Sequence, residues 1–280
     1  MRFLAAALIA FLAAACGASA RSPAPPFRHV VVIVFENKDE SSVLGSGRAP
    51  TFDSLARRYA RLTRYYGVAH PSLPNYLALV SGSTHGIATD CTGCTVDAPN
   101  LVDSLEHAGK TWKTYAEGLP APGYTGASAG RRYVKKHVPF LYFRDIVRST
   151  KRLTRVVPLR QLSADLAAGK FPDFAQVVPD LCHSMHDCSI DTGDTWLRSA
   201  LPPLLKLRDT VVFVIFDEGV SSARIGGHVA ALAAGTAVRP GSSYTSITNH
   251  YGVLRTIEQA WDLPLLGRSA QVAPITGIWR

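Results

Sequence analysis

A serine enclosed by two prolines is the first candidate for chemistry in this chain. Ser72 lies between Pro71 and Leu73-Pro74, and the residues from Asn75 to Val80 have the character of a helix. The N-terminus of a helix offers free N–H groups and a positive dipole end, which favour a bound anion such as phosphate. Ser72 is therefore a candidate nucleophile, and the Asn75 amide could donate to a phosphate oxygen. Alternatively, Ser72 is a helix N-cap without a chemical role.

Carboxylates follow two strongly apolar segments. The run from His29 to Phe35 ends at Glu36-Asn37, and the run from Thr210 to Phe216 ends at Asp217-Glu218. Continuous β-branched runs are typical of strands buried on both faces of a parallel sheet. Ligands bind outside the carboxyl ends of such strands, so we expect the three carboxylates to meet there. They would repel one another, and a hard divalent cation would relieve that repulsion.

Strands and helices alternate along the rest of the chain. Further strands are predicted at 62–68, 111–116, 174–178 and 228–233, and helices at 51–59, 75–80, 101–108, 161–168, 196–207 and 251–261, with Thr51 as a helix cap. This order predicts a three-layer α/β/α sandwich with a mostly parallel central sheet. A chain of 280 residues suits one such domain, which we expect over residues 21–280.

The first 20 residues have the features of an export signal. Arg2 precedes an apolar run from Phe3 to Ala15, and Ala18-Ser19-Ala20 is a suitable cleavage site. We expect cleavage before Arg21 and a secreted or periplasmic protein. Cys16 leaves lipoprotein anchoring open as an alternative.

The chain without this leader is basic, with 29 Lys and Arg residues against 21 Asp and Glu. Part of the excess lies at Arg131, Arg132, Lys135 and Lys136, and part between residues 148 and 160. Such a surface could steer a phosphate-bearing substrate or contact anionic lipid. It could equally be an ordinary solvated face. A nucleic-acid partner is not expected, because basic-aromatic stacking motifs and zinc-finger spacings are absent from the sequence.

Four cysteines remain after the leader, as the local pairs Cys91 with Cys94 and Cys182 with Cys188. In an oxidising compartment they predict two short-range disulfides. Four thiolates holding a structural zinc ion are the alternative.

Several segments together resemble the bacterial, fungal and plant phosphoesterase family of acid phosphatases and phospholipase C enzymes. They are Val31 to Asn37, His70 to Gly86, Phe216 to Val229, Asn249 to Tyr251 and Leu254 to Glu258. The most specific part is Pro-Ser-Leu-Pro-Asn-Tyr followed by Ser-Gly-Ser-Thr-His-Gly. The family is similar in fold to the alkaline phosphatase superfamily. Nucleotide pyrophosphatases carry a related turn with a threonine nucleophile, which favours Ser72 over its neighbours.

The resemblance implies roles for individual residues. Glu36-Asn37 and Asp217-Glu218 match two metal-binding pairs, Ser72 matches the nucleophile, and Asn75 matches a phosphate-contacting amide. We expect one divalent metal ion, whose identity the oxygen-rich ligands do not determine. Two-metal relatives use a further aspartate and two histidines.

Two histidines match active-site positions of the same family. His137, in Lys-His-Val-Pro-Phe, resembles the histidine of the family's Lys-His-Asn-Pro-Phe, although Val138 replaces the asparagine. His186 matches a second histidine. Either imidazole could protonate the leaving oxygen and later activate water. Alternatively, His137 is a solvated surface residue and His186 is simply held in a disulfide loop.

Other candidates are held in reserve. His85 and His228 each adjoin a glycine, and structural hydrogen bonds are their expected role, with His228 as a reserve metal ligand. Asp180 and Asp187 are weaker reserves for a second metal.

The resemblance implies a hydrolase of phosphoric esters. We expect an acid phosphatase-like phosphomonoesterase that acts on a small phosphate ester through a phosphoserine intermediate. A phospholipase C-type phosphodiesterase is the close alternative. A non-catalytic binding protein on the same fold is the third, which the retained nucleophile and carboxylates oppose.

Overall fold

The structure, a computed structural model, describes residues 27–221 and 224–280. The predicted leader, its cleavage site and Cys16 lie outside these residues. The strands are β1 (His29–Phe35), β2 (Ala60–Leu62), β3 (Tyr65–Tyr66), β4 (Trp112–Ala116), β5 (Ser128–Ala129), β6 (Tyr133–Val134), β7 (Val156–Pro158), β8 (Phe174–Val178), β9 (Thr210–Phe216), β10 (Ala231–Ala234), β11 (Ser242–Tyr244) and β12 (Thr248–Asn249).

The helices lie between these strands. They are α1 (Glu40–Val43), α2 (Pro50–Arg58), α3 (Ser72–Ser81), α4 (Leu101–His107), α5 (Arg144–Val147), α6 (Thr150–Leu153), α7 (Gln161–Ala167), α8 (Ile190–Ala200), α9 (Pro202–Leu205) and α10 (His250–Ala260). Short 3₁₀ helices span Lys135–His137, Pro139–Tyr142 and Gly267–Gln271.

The two most apolar strands, β1 and β9, are neighbours in an 8-stranded sheet of order β11-β2-β10-β9-β1-β8-β4-β7. They pair in parallel from His29 opposite Thr210 to Phe35 opposite Phe216. Strand β10 runs antiparallel to both of its neighbours, and the other pairs in this sheet are parallel. The prediction of a mostly parallel sheet is therefore confirmed.

Helices cover both faces of this sheet. Every residue of β9 is buried, and in β1 only His29 is partly exposed. Because successive side chains of a strand point to opposite faces, burial of all of them requires cover on both sides. Helix α3 packs against α10, and α2 packs against α8. The structure thus has the predicted α/β/α layers.

The cap of α2 differs from the prediction. Its first N–H groups are satisfied by Asp194, a buried residue of α8. Asp194 Oδ1 accepts from the Thr51 and Phe52 N–H groups at 2.9 and 3.1 Å, and Oδ2 accepts from the Thr51 hydroxyl at 2.8 Å. A carboxylate suits the positive end of a helix dipole. The prediction that Thr51 itself caps this helix is wrong.

Several predicted elements have different bounds, among them the strand 228–233, which is observed as Ala231–Ala234. The expected strand 62–68 is divided between β2, in the main sheet, and β3, which pairs with β12. The expected helix 196–207 instead begins at Ile190 and is interrupted after Ala200. Pro202 and Pro203 lack the N–H groups that would continue the hydrogen bonding of α8.

Both predicted disulfides are present, between Cys91 and Cys94 and between Cys182 and Cys188. Within residues 27–221 and 224–280, none of the helices is both long enough and apolar enough to cross a bilayer.

Candidate active site

Glu36 and Asp217 emerge side by side at one edge of the sheet. Phe35 and Phe216 are paired at the ends of parallel neighbouring strands, so the residues that follow them leave the sheet together. The Asp217 N–H donates to the Phe35 carbonyl at 2.9 Å, and the Asn37 N–H donates to Asp217 Oδ1 at 3.1 Å. Asn37 and Asp217 are therefore in direct contact, while the role of both polar pairs as metal ligands stays a prediction.

Ser72 is the first residue of α3, three residues before the predicted helix start. Its N-cap position is occupied by Pro71, and no side chain caps the helix. The buried Ser72 hydroxyl instead donates to Glu36 Oε2 at 2.9 Å. The alternative of Ser72 as a helix N-cap is therefore wrong, and Ser72 lies within reach of the strand-end carboxylates.

The charges at this edge are poorly compensated. Burial, and then repulsion by Asp217, hold the pKa of Glu36 well above its ordinary value, and burial also raises the pKa of Asp217. Burial and the charge of Asp217 raise the pKa of Glu218 to about 8. All three shifts reflect the cost of ionising a carboxylate in low dielectric, and those of Glu36 and Glu218 also reflect repulsion by Asp217.

These residues fit a divalent cation. Asp217 Oδ2 is buried and has no hydrogen-bond partner among the described residues. A buried carboxylate oxygen without a donor is costly unless a proton or a cation satisfies it. Carboxylate and amide oxygens, supplied here by Glu36, Asn37, Asp217 and Glu218, are the donors that hard divalent ions prefer.

The second oxygen of Glu36 faces an aromatic pair. The Tyr76 hydroxyl donates to Glu36 Oε1, and His137 Nε2 lies 3.1 Å from the same oxygen. The His137 and Tyr76 rings stack with centroids 5.2 Å apart. His137 is buried, and burial together with the charge of Lys136 lowers its pKa well below its ordinary value. His137 is thus at the candidate site and not on the solvated surface.

His186 is close to His137 and more exposed. The two ring centroids are 6.1 Å apart, and the His186 side chain is 29% exposed. Asp187 Oδ1 lies 2.6 Å from His186 Nδ1, and the disulfide between Cys182 and Cys188 closes the loop that carries both residues. His186 therefore lies beside the buried His137, and its chemical role stays a prediction.

The Asn75 side chain stabilises the turn before α3. Its Oδ1 accepts from the Val68 and Ala69 N–H groups at 2.8 and 3.1 Å. Its amide donates to the Ala69 and Pro71 carbonyls at 2.9 and 3.2 Å. In this arrangement Asn75 holds the backbone that leads to Ser72. To donate to a phosphate as predicted, the Asn75 amide group would have to exchange these hydrogen bonds to the backbone carbonyls.

Sequence reasoning assigned no role to two further histidines. His70 Nδ1 lies 2.5 Å from Glu218 Oε2. His250 Nε2 donates to the Asp217 carbonyl at 2.6 Å, and its Nδ1 accepts from the Tyr65 hydroxyl at 2.8 Å. Burial lowers the pKa of His250 to about 4, which agrees with this neutral form. Two features of the sequence could have indicated them. His70 is two residues before Ser72, and His250 lies in the segment Asn249 to Tyr251 that resembles the family.

A glycine permits the close approach of two loops. A Cβ on Gly67 would lie 2.4 Å from the Gly226 carbonyl oxygen and 2.9 Å from that of Asp217. The Gly67 N–H also donates to the Gly227 carbonyl at 3.0 Å. Only a residue without a side chain lets the segment before Ser72 pack on the backbone of Asp217.

A second group of polar residues lies at neighbouring strand ends. Ligand atoms of Glu117, Asp180 and His183 lie within 4.8 Å of one another, close enough for a metal ion. His183 Nδ1 lies 2.9 Å from Glu117 Oε2, and Asp180 Oδ1 accepts from two backbone N–H groups. Asp180, which the sequence analysis named as a weaker candidate ligand for a second metal, thus belongs to a different group from Glu36 and Asp217.

The remaining reserve histidines have structural partners. His85 Nε2 lies 2.8 Å from the Ser81 hydroxyl, and His228 Nε2 donates to the Thr63 carbonyl at 3.0 Å.

Some residues of the predicted basic surface form ion pairs with acidic side chains. Arg152 forms ion pairs with Asp103, Glu106 and Asp145.

Comparison with known sequences identifies close relatives. The sequence model of the Phosphoesterase family matches residues 42–264, a range that begins after Glu36 and Asn37. The chain is 37% identical over 266 residues to a phosphatidylinositol-3-phosphatase of Mycobacterium tuberculosis, covering 93% of this chain and 85% of that protein. It is 30% identical to a probable acid phosphatase of Kluyveromyces lactis, covering 86% of this chain and 60% of the relative. It is 31% identical to an acid phosphatase of Aspergillus fumigatus, and the match covers 76% of this chain and 51% of that protein.

Solved structures share the fold at low identity. A protein of the alkaline phosphatase superfamily from Vibrio parahaemolyticus matches with a TM-score of 0.61 and 14% identity, covering 91% of this chain and 72% of that one. A phosphonate monoester hydrolase of Agrobacterium radiobacter matches with a TM-score of 0.54 and 14% identity. This match covers 85% of this chain and 74% of that one.

The fold is that of the alkaline phosphatase superfamily, and the class of protein is a hydrolase acting on phosphoric ester bonds. Within this class, the chain belongs to the Phosphoesterase family.

Proposed function

We propose that this protein is an exported, metal-dependent phosphomonoesterase that cleaves phosphate esters through a phosphoserine at Ser72. The observation that carries the proposal is the buried hydrogen bond from Ser72 Oγ to Glu36 Oε2, at the edge where Asp217 and Glu218 also emerge. The proposal treats residues 21–280 as one catalytic domain that functions after removal of the leader.

The strand-end oxygens support the metal requirement. One divalent cation bound by Glu36, Asn37, Asp217 and Glu218 would neutralise their charge, lower the pKa of the Ser72 hydroxyl and polarise a phosphoryl oxygen. In this proposal the protein's part is to bring these four residues together with Ser72. The adjacent ends of the paired strands β1 and β9 and the hydrogen bond from Ser72 to Glu36 support this arrangement.

The Ser72 oxygen attacks phosphorus in line, and its proton leaves to water. The phosphorus–oxygen bond to the leaving group breaks as the bond to Ser72 forms. His186 donates a proton to the leaving oxygen and then accepts a proton from the water that attacks the phosphoserine. The phosphorus–oxygen bond to Ser72 breaks, phosphate is released, and the Ser72 oxygen regains a proton from solvent. Tyr76 donates to Glu36 Oε1 and holds Glu36 in the orientation that receives the Ser72 hydroxyl, and the His137 ring packs beside them.

A monoester is the favoured substrate because the curated relatives are phosphatases by name. The mycobacterial relative is a phosphatidylinositol-3-phosphatase, so a phosphoinositide is the lipid monoester to compare with small aryl and alkyl phosphates. Hydrolysis of a phospholipid diester would instead support the phospholipase C-type alternative.

The test compares the purified protein with Ser72→Ala on p-nitrophenyl phosphate, on phosphatidylinositol 3-phosphate and on phosphatidylcholine. Ser72→Ala should lower kcat by at least about 10³-fold, as loss of a covalent nucleophile does in other enzymes. Acid quenching of the wild type should trap a phosphate on Ser72. The control is Ser163→Ala, an exposed serine of α7.

Each outcome has a definite reading. Monoester turnover that survives both Ser72→Ala and a chelator would overturn the mechanism. Turnover of phosphatidylcholine alone would favour diester cleavage, and binding of phosphate without turnover of any ester would favour the non-catalytic protein.

A further inference from the structure

An aspartate from a distant loop occupies the N-terminus of the helix that begins at Ser72. Asp90 Oδ1 accepts from the N–H of Leu73, the residue after Ser72, at 2.9 Å. Asp90 Oδ2 accepts from Lys136 Nζ at 2.7 Å. One carboxylate thus joins the first turn of α3 to a lysine that directly precedes His137.

Asp90 increases the negative charge of an already acidic site. Its charge adds to that of Asp217 in raising the pKa of Glu218. Lys136 acts in the opposite sense, because its ammonium lowers the pKa of Glu36 and of Glu218. The Lys136 side chain is only 17% exposed, so its charge is weakly screened at the candidate site.

The two donors that Asp90 contacts are of the kind that bind a phosphate. A backbone N–H in the first turn of a helix and a lysine ammonium each prefer an anionic oxygen. The two oxygens of Asp90 take these donors in the way that two oxygens of a phosphoryl group would. Leu73 follows the proposed nucleophile in the chain, and Lys136 Nζ is joined to the Leu73 N–H through the two oxygens of Asp90.

Asp90 lies between α3 and α4, in a segment that the structure describes without helix or strand and with one isolated bridge, Val96 to Phe143. Asp90 is partly exposed, whereas Leu73 is buried in the helix.

We propose that Lys136 Nζ and the Leu73 N–H form the binding site for the substrate's phosphate, and that Asp90 fills this site until substrate displaces it. The proposal rests on the proposed function of Ser72. It makes Lys136 a substrate-binding residue and Asp90 an internal competitor of the phosphate.

A purely structural ion pair is the rival explanation. If the ion pair of Asp90 and Lys136 only holds the segment of His137 against α3, loss of either residue should weaken phosphate binding. If Asp90 competes with phosphate, the two losses should have opposite effects. The direction of the change therefore separates the explanations.

The experiment measures the affinity for inorganic phosphate by titration calorimetry and by competitive inhibition of p-nitrophenyl phosphate hydrolysis. Lys136→Met should weaken phosphate binding by about 10- to 100-fold, the size expected for a lost charge-assisted hydrogen bond. Lys136→Arg should recover part of the loss. Asp90→Asn should tighten phosphate binding several-fold, because the amide keeps an acceptor for Leu73 but carries no charge.

The neighbouring Lys135 provides a matched control. Its ammonium donates to the Thr92 carbonyl at 3.2 Å and lies 4.4 Å from the centre of the Tyr142 ring. Lys135→Met should leave phosphate affinity unchanged, and thermal unfolding of each variant will report whether it is folded. Weaker binding in folded Asp90→Asn, or unchanged binding in folded Lys136→Met, would overturn the proposal. Failure of the wild type to hydrolyse any ester would instead refute the proposed function, while calorimetry would still decide the phosphate site.

Discussion

His137 Nε2 lies 3.1 Å from Glu36 Oε1, in a contact that is closed to solvent. The Tyr76 hydroxyl donates to the same oxygen, and the Tyr76 and His137 rings are stacked. Because burial lowers the pKa of His137, its imidazole is neutral at physiological pH and poorly suited to deliver a proton. His186, more exposed and paired with Asp187, is better placed to do so. The two histidines thus have separable roles.

Substrates with different leaving groups will separate these roles. His186→Gln should lower kcat/KM for glycerol phosphate by about 10²-fold, since an alkoxide needs a proton, and for p-nitrophenyl phosphate much less. His137→Gln should lower activity on both substrates to a similar extent. Steady-state kinetics on the two esters, with exposed His107→Gln as control, provide the measurement. Equal losses on both esters in His186→Gln would refute its role as the acid.

Removal of the buried charge at Asp217 should affect activity and stability in opposite directions. In chelator, Asp217→Asn should be more stable than the wild type by about 1–2 kcal/mol, because one repelling carboxylate is lost. It should also be inactive and gain no melting temperature from added divalent metal, whereas the wild type should gain several degrees. Thermal unfolding with chelator and with metal tests both statements.

Asp209→Asn is the matched control for this prediction. Asp209 is exposed at the opposite end of β9, so the same change of charge should leave metal-dependent stability intact. If no divalent metal raises the melting temperature of the wild type, the result would contradict the predicted cation site.

Glu258 should make stability dependent on pH. Burial raises its pKa to about 7, and its oxygens accept from the Leu266 N–H and the Ser269 hydroxyl at 2.9 and 2.6 Å. An unfolded glutamate ionises near pH 4.3, so between about pH 4.5 and 7 unfolding releases a proton. Stability should therefore fall as pH rises through this window, by up to about 1.4 kcal/mol per pH unit from this group.

Urea unfolding of the wild type and of Glu258→Gln at pH 5, 6, 7 and 8 measures this effect. The variant cannot ionise, so its stability should depend less on pH below about 7, and the two proteins should show parallel curves above it. Asp262→Asn, at an exposed position beyond α10, is the control. Parallel curves from pH 5 to 7 would contradict the raised pKa.

Asp194 should contribute to stability through α2. Asp194→Ala removes three hydrogen bonds to the start of that helix and should cost about 1–3 kcal/mol. For a protein of this size the melting temperature should fall by about 2–10 °C. Asp191→Ala, on the same helix but exposed, should change stability by less than about 0.5 kcal/mol. Similar melting temperatures for both variants would show that the cap contributes little.

Local patterns in the sequence predicted the central strands and the meeting of their carboxylates. A run such as Val30 to Val34 has few alternatives to a buried strand, and paired parallel strands must end at the same edge. The resemblance to a family then selected Ser72, which local physics left undecided between a nucleophile and a cap. The structure excludes the cap because Ser72 donates to Glu36.

Contacts between distant segments could not be predicted in the same way. Asp194 at α2, Asp90 at α3 and His250 at the Asp217 carbonyl each join residues far apart in the chain. A single polar residue in a loop or on a helix carries no periodicity that reports its partner. The antiparallel direction of β10 was missed for a related reason, since strand direction depends on the path of the connecting loop and not on the strand's own residues.

Helix α3, which carries the proposed nucleophile, is buried over all of its residues. A change on any face of this helix would disturb packing in the interior, so its sequence has little freedom to vary while Ser72 stays in place. Substrate range can therefore diversify more readily in the surrounding loops, such as the segment that carries Asp90. Directed evolution toward new phosphate esters should accordingly yield beneficial substitutions in those loops and few within the helix.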